Sequence, residues 1–162
     1  MASRGPAWYA IIDGSRDPRL EALVGGCRDH ICLFKGRLDP QLSQVAPWLV
    51  RIHESEPLLG TWQQHGRGLA WGMMVYSSAS LVDLQRFFRR FLQARLPDGM
   101  VALFRFYDPR VFNTYIRAAL PEERAPWFAQ VQQYAVESAD GTALHQYRLS
   151  EGHLWDGNSA IG

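Results

Sequence analysis

The sequence predicts a single-domain α/β fold, in which a mixed sheet of about five strands is flanked by helices and followed by a short helix and a C-terminal β-hairpin. The chain has 162 residues, 47% of them hydrophobic, which suits one domain with a substantial core. Apolar runs of strand length alternate with helix-start signals over most of the chain. The alternation then ends, and an aspartate-glycine turn separates two last strand-like runs.

Five apolar runs have the length and the side-chain content of strands. Several are apolar on both faces, as strands in the middle of a covered sheet are. The runs cover residues 8–12, 31–35, 48–53, 69–76 and 100–107. We expect these five runs to form the sheet.

An acidic residue followed by proline marks three helix starts between the strands. The acidic side chain can accept from free amide groups of the first turn, and proline fits the first helical position. These signals predict helices in the segments Asp17–Val24, Asp39–Val45 and Glu56–His65.

The strongest helix signal covers Leu81–Leu96. Ser80 and Asp83 form a capping box at its start, and Pro97-Asp98-Gly99 is expected to end it. Its apolar residues recur at helical spacing and fall on one face. They are Leu81, Leu84, Phe88, Phe91 and Leu92.

The second half of the chain begins with a strand-to-helix junction. The run 100–107 passes into a helix capped by Asp108, which is expected to continue over Val111–Leu120. A short helix beginning at Pro121 is expected to end near Val131. Residues 132–149 then read as a hairpin around Ala139-Asp140-Gly141. The predicted domain is 1–149.

Residues 150–162 are polar and contain glycine. We expect them to form a loosely held tail in which Leu154 and Trp155 are the only apolar anchor.

Arg105 is the charged residue of the junction that most needs a partner. It stands between Phe104 and Phe106, so its guanidinium requires a carboxylate or several carbonyls. Asp13, Asp17 and Asp39 are the candidate partners, and the sequence leaves the choice among them open.

The residues give little support for catalysis. The five histidines lack ligand or general-base spacing, and Lys35, the only lysine, follows an apolar strand rather than a glycine loop. Cys27 and Cys32 have no second pair and read as reduced thiols. We therefore expect no catalytic residue, metal or cofactor. Asp13 and Asp17 could form a carboxylate pair, but a turn and a helix cap explain them better.

Charge and hydropathy limit the partners. The net charge is only +1, so nucleic acid is not an expected partner. No apolar stretch has the length of a signal peptide or membrane span, so we expect no membrane partner and a cytoplasmic location.

Two groups of residues are candidates for binding another protein. Arg86, Arg89 and Arg90 form a basic stripe, which is either a solvated face or a docking patch for an acidic surface. The aromatic content exceeds what a small sheet readily buries, so some rings are available for an interface. The candidate partner-binding residues are Arg86, Phe87, Arg90, Arg110, Trp127 and Phe128.

A set of motifs spread in order from about Trp8 to about Trp127 resembles one family, the effector adaptor or chaperone domain of type VI secretion systems, of the kind called Tap or Tec. The most characteristic is the run from Phe104 to Val111. The signature positions include Asp13, Gly14, Asp39, Pro40, Trp71, Gly72, Arg105, Tyr107, Asp108 and Pro109.

The resemblance implies a role and partners. It implies a non-catalytic cytoplasmic chaperone that binds a toxin effector and loads it onto the VgrG spike. Many members continue into a further C-terminal region, so the chain is either a minimal member or one domain of a longer protein. A small phosphate- or nucleotide-binding α/β enzyme, or an unrelated protein-binding module, is the alternative. The enzyme would need Asp13, Asp39 and Asp108 to converge in one pocket.

Overall fold

The computed structural model describes residues 5–34 and 45–161. Within them the chain forms ten strands and several short helices. The strands are β1 (Ala7–Asp13), β2 (His30–Cys32), β3 (Pro47–Arg51), β4 (Gly72–Ser77), β5 (Gln93–Arg95), β6 (Val101–Leu103), β7 (Gln133–Glu137), β8 (Leu144–Ser150), β9 (His153–Asp156) and β10 (Ser159–Ala160).

Helices lie between the strands, and two of them begin with the capping bonds that the sequence predicts, whereas Glu56 forms no capping bond. Asp108 accepts from the Arg110 amide at 2.9 Å, and Ser80 accepts from the Asp83 amide at 3.1 Å. A π-helical turn (Trp62–Gly66) follows the second helix, and a 3-10 turn (Ala125–Phe128) follows the last. The helices are α1 (Arg19–Gly25), α2 (Pro57–Thr61), α3 (Leu81–Arg89), α4 (Pro109–Ala118) and α5 (Pro121–Arg124).

Eight of the strands form one antiparallel sheet in the order β10-β9-β8-β7-β4-β1-β3-β2. This confirms a mixed helix-and-strand domain, but the sheet is larger than the expected five strands, and the prediction of a mixed sheet was wrong because every pairing in it is antiparallel. The hairpin of β7 and β8 forms as predicted, and it joins the sheet through β4. The run at 31–35 contributes β2, which ends the sheet in the described part of the chain.

Helices cover both faces of the sheet. On one face, Ile11, Val75 and Tyr134 pack in the larger cluster, to which α3 and α4 contribute. On the other face, Ile12 and Val50 pack with residues of α1 and α2 and with Trp62 and Trp71. Because neighbouring residues of a strand point to opposite faces, β1 supplies both clusters from one continuous apolar run.

The run at 100–107 is not a sheet strand, so this prediction was wrong. Only Val101–Leu103 is extended, and it pairs with β5 in a separate two-stranded hairpin. The predicted helix Leu81–Leu96 likewise ends at Arg89. Pro97-Asp98-Gly99 is the hairpin turn, with Gly99 at a φ of +85° that a glycine adopts without steric cost.

The segment expected to be a loosely held tail instead forms β9 and β10. Glu151 and Gly152 both have positive φ, which produces a tight turn after β8. Leu154 is then placed in the larger core cluster with none of its surface exposed. The prediction of a flexible end is therefore corrected.

Most of the predicted helix Asp39–Val45 lies outside the described residues, as do the signature positions Asp39 and Pro40. No helix within residues 5–34 or 45–161 is long and apolar enough to cross a membrane.

Candidate functional site

Several of the signature residues that the structure describes meet at the end of β1, where Asp13 is fully buried. Its main chain is anchored on both sides, since the Asp13 amide donates to the Trp71 carbonyl at 2.8 Å and the next amide, of Gly14, donates to the Ala46 carbonyl at 3.1 Å. The Asp13 carboxylate accepts from the Ser15 amide at 3.0 Å and from the Ser15 hydroxyl at 2.6 Å. The remaining carboxylate oxygen is the one that needs a cation.

Arg105 supplies that cation. Its Nη2 lies 2.5 Å from Asp13 Oδ2 and 3.0 Å from Ser15 Oγ. The predicted ion pair is confirmed, and the partner is Asp13. The burial is unequal, however: the Arg105 side chain is 45% exposed, whereas that of Asp13 is not exposed at all. The aromatic neighbours do not enclose the guanidinium, because Arg105 reaches Asp13 from the solvent side.

Tyr107 and Asp108 continue the junction into α4. Tyr107 is buried, and burial raises its pKa to about 12. Burial by itself would raise the pKa of Asp108, but hydrogen bonds from the Arg110 side chain and amide outweigh it and hold that pKa below its usual value. Pro109 occupies the first turn of α4. These residues connect the β5–β6 hairpin to the first turn of α4.

The same three-residue arrangement occurs twice. In Asp17-Pro18-Arg19 and again in Asp108-Pro109-Arg110, the aspartate accepts from the amide and from the side chain of the arginine two residues later. The Arg19 bonds lower the pKa of Asp17 to about 2. The arginine of the first copy also lies over the Trp71 ring, 5.5 Å from its centroid. Both copies therefore serve as helix-start structures.

These contacts leave little chemistry for the carboxylates to perform. Asp13, Asp17 and Asp108 each pair with an arginine. No group of three or more potential metal ligands among histidine, cysteine, aspartate and glutamate is found in the described ranges. The arrangement organises a strand-to-helix junction.

The predicted partner-binding residues divide into exposed and buried ones. Arg86, Arg90 and Arg110 are exposed and Phe128 is partly so. Phe87 and Trp127 are 2% exposed, so the expectation that they lie at the surface was wrong. Neighbouring rings hold both in the core. Phe91 stacks on Trp127 with their ring centroids 4.0 Å apart, and it meets Phe87 edge-on with centroids 5.2 Å apart.

The arginines of α3 have different contacts. Arg89 is not part of a free stripe, because it donates to the carbonyls of Leu33 and Phe34 at 3.0 and 3.1 Å. Arg90 lies over the rings of Phe87 and Phe91, at 5.5 and 5.9 Å from their centroids. Of these three arginines, Arg86 and Arg90 are therefore the exposed ones that are not held by main-chain carbonyls.

Sequence reasoning missed an exposed apolar surface on the β5–β6 hairpin. Met100, Val101 and Leu103 are 65%, 53% and 49% exposed, and Leu96 next to the turn is 42% exposed. A separate open groove of about 620 Å³ runs along α4, with Phe104, the residue after β6, and Tyr115 in its wall and with Arg110 and Glu123 also lining it. The signal was Pro97-Asp98-Gly99 between two short apolar runs, which is compatible with a hairpin turn as well as with a helix stop.

Comparison with known proteins identifies the family. The model of the family described as "Domain of unknown function (DUF4123)" matches residues 8–126, which is most of the chain, and the chain therefore belongs to that family. The match begins in β1 and ends just after α5, so it includes the ion-pair junction and the β5–β6 hairpin. Neither the curated proteins nor the solved structures contain a match.

Proposed function

We propose that this protein is a non-catalytic adaptor of a type VI secretion system, which binds a toxin effector in the cytoplasm and helps to load it onto the VgrG spike. Membership of the DUF4123 family, together with the motifs from Trp8 to Trp127, is the observation that carries the proposal. The signature residues that the structure describes pack and pair within the fold around the end of β1. We infer that these residues hold the fold in shape, and that binding uses other surfaces of the protein.

The surface of the molecule is compatible with this role. A chaperone needs apolar surface that a client can cover, and the β5–β6 hairpin and the groove along α4 offer it. Exposed arginines lie nearby in the chain, and arginine is among the residues that most often dominate protein interfaces. The alternative of a small phosphate- or nucleotide-binding enzyme has less support, because Asp13 and Asp108 are each neutralised by an arginine.

Co-expression tests the proposal. The chain is expressed with each protein encoded beside its gene, and tagged pull-down and size-exclusion chromatography measure what co-purifies. We expect a neighbouring toxin to become soluble only when this chain is present and to elute with it. A well-folded chain that neither solubilises nor retains any neighbour would contradict the adaptor role.

A further inference from the structure

The β5–β6 hairpin carries its apolar side chains on its outward face. In the register of the two strands Leu103 is opposite Gln93 and Val101 is opposite Arg95, so these four side chains share one face. Val101 and Leu103 are each about half exposed, whereas the intervening Ala102 is less exposed. The hairpin therefore presents a small apolar strip with an arginine beside it.

One edge of this hairpin has unpaired main-chain groups. The Phe104 amide donates to the Leu92 carbonyl and the Leu96 amide donates to the Met100 carbonyl, both at 2.7 Å. Hydrogen-bonded pairs alternate along an antiparallel ladder, so the pairs at 92/104, 94/102 and 96/100 face inward. The amides and carbonyls of Val101 and Leu103 consequently point away from β5, and no third strand joins β6 within the described residues.

The chain around this edge carries more positive than negative charge. The segment from residue 84 to residue 107 contains five arginines and one acidic residue, Asp98. Arg105 is held by Asp13 and Arg89 by two carbonyls, but Arg86, Arg90 and Arg95 form no ion pair with any residue that the structure describes. The free edge therefore lies in a positively charged part of the chain.

We propose that the free edge of β6 binds an extended segment of a partner protein that is apolar on one face and acidic at its ends. Such a segment would pair its main chain with Val101 and Leu103 as an added strand, cover their side chains and neutralise the arginines. A second copy of this chain is a poorer occupant, because pairing two β6 edges would bring two arginine sets together. The proposal goes beyond the adaptor role and rests on it only in taking the effector as the source of the segment.

A synthetic peptide provides the first test, with the protein used as the full chain. The probe alternates valine and threonine and has aspartate and glutamate at both ends; the control probe has lysine at those positions. We expect the acidic peptide to bind at least about tenfold more tightly than the lysine peptide, and the preference to shrink in high salt. Hydrogen exchange should slow at the Val101 and Leu103 amides on binding.

Two variants and two controls localise the site. Leu103→Pro removes the Leu103 amide, which points away from β5, and it leaves the hydrogen bonds between β5 and β6 intact. Arg95→Glu reverses the charge next to the apolar strip. Leu144→Pro and Arg28→Glu make the same changes at exposed residues outside the hairpin. We expect the first pair to weaken peptide binding about tenfold or more and the control pair to leave it unchanged. Far-UV circular dichroism checks that each variant is folded.

The possible results distinguish failure of the hairpin assignment from failure of the adaptor role. Absence of acidic-peptide binding, or binding that survives Leu103→Pro and Arg95→Glu alike, overturns the hairpin assignment. A toxin complex that survives both variants also overturns it, while the adaptor role stands. If the wild-type chain binds no neighbouring toxin, the adaptor role fails, and the peptide experiment alone decides whether the hairpin edge binds acidic strands.

Discussion

At the scale of the residue, Asp13 is the side chain whose environment most constrains the fold. It is a buried carboxylate at the end of a central strand, and its oxygens are satisfied by Ser15 and Arg105. A buried charge that loses its partner costs much more than the intact pair contributes. Arg110 forms a similar contact with Asp108, but its side chain is 55% exposed. The two arginines should therefore differ in their effect on stability.

We predict that Arg105→Ala lowers the free energy of unfolding by roughly 2–3 kcal/mol, because it leaves the Asp13 carboxylate buried with only the Ser15 hydrogen bonds. Arg110→Ala, the matched control, should cost at most about 1 kcal/mol, since exposed ion pairs contribute little. Urea denaturation followed by tryptophan fluorescence measures both. Equal unfolding midpoints for Arg105→Ala and the parent would show that the Asp13 pair does not stabilise the fold.

At the scale of the element, the packing of β1 against β4 depends on Gly72. A Cβ at this position would collide with the Ile11 carbonyl oxygen, which is main chain and cannot rotate away. The residue before it, Trp71, accepts from the Asp13 amide and fills the second core cluster. The pair Trp71-Gly72 therefore combines a large buried ring with a close strand contact.

We predict that Gly72→Ala destabilises the protein by roughly 3 kcal/mol, because the added methyl forces two central strands apart. Gly60 in α2 is the control, because an added Cβ there would meet no atom within 4 Å, and Gly60→Ala should stabilise the protein by about 0.5–1 kcal/mol. Thermal and urea unfolding compare the two. A Gly72→Ala variant as stable as the parent would contradict the close approach of β4 to β1.

At the scale of the whole molecule, the sheet is completed by the last residues of the described chain. β9 carries Leu154 into the core, and Asp156 accepts from Arg117 of α4 at 3.0 Å and contacts His145 of β8 at 2.7 Å. Burial by itself would raise the pKa of Asp156, but hydrogen bonds and the nearby cations together lower it. The C-terminal strands therefore tie β8 to α4.

We predict that truncation after Ser150 lowers the free energy of unfolding by at least about 3 kcal/mol, because it removes a buried leucine and the carboxylate that pairs with Arg117. Truncation after Asn158 is the control; it retains β9 and should cost about 1 kcal/mol, since Ser159 and Ala160 are exposed and Ile161 is only partly buried. Urea unfolding of the two truncated chains measures the difference. If the shorter chain is as stable as the longer one, β9 does not contribute to the core.

Local chemistry determined those parts of the structure that the sequence predicted well. Helix starts at Asp17-Pro18 and Asp108-Pro109 depend on contacts within two or three residues, so the sequence is sufficient to place them. The apolar runs behind β1, β3 and β4 likewise identify strands that are buried on both faces. The carboxylate partner of Arg105 was also predicted, although the burial that requires the pair is that of Asp13 rather than that of Arg105. The family resemblance came from motifs in the same segments.

Only the tertiary structure decided questions that depend on distant partners. The choice of Asp13 over Asp17 as the ion-pair partner of Arg105 requires that β1 and the α4 junction meet, across 92 residues of sequence. Residues 93–95 follow a strong helix pattern, and they are extended because β6 pairs with them. The end of the chain became β9 because β8 offered an edge. The sequence by itself determined the capped helices and buried strands, whereas strand pairing, a non-local contact, determined the rest.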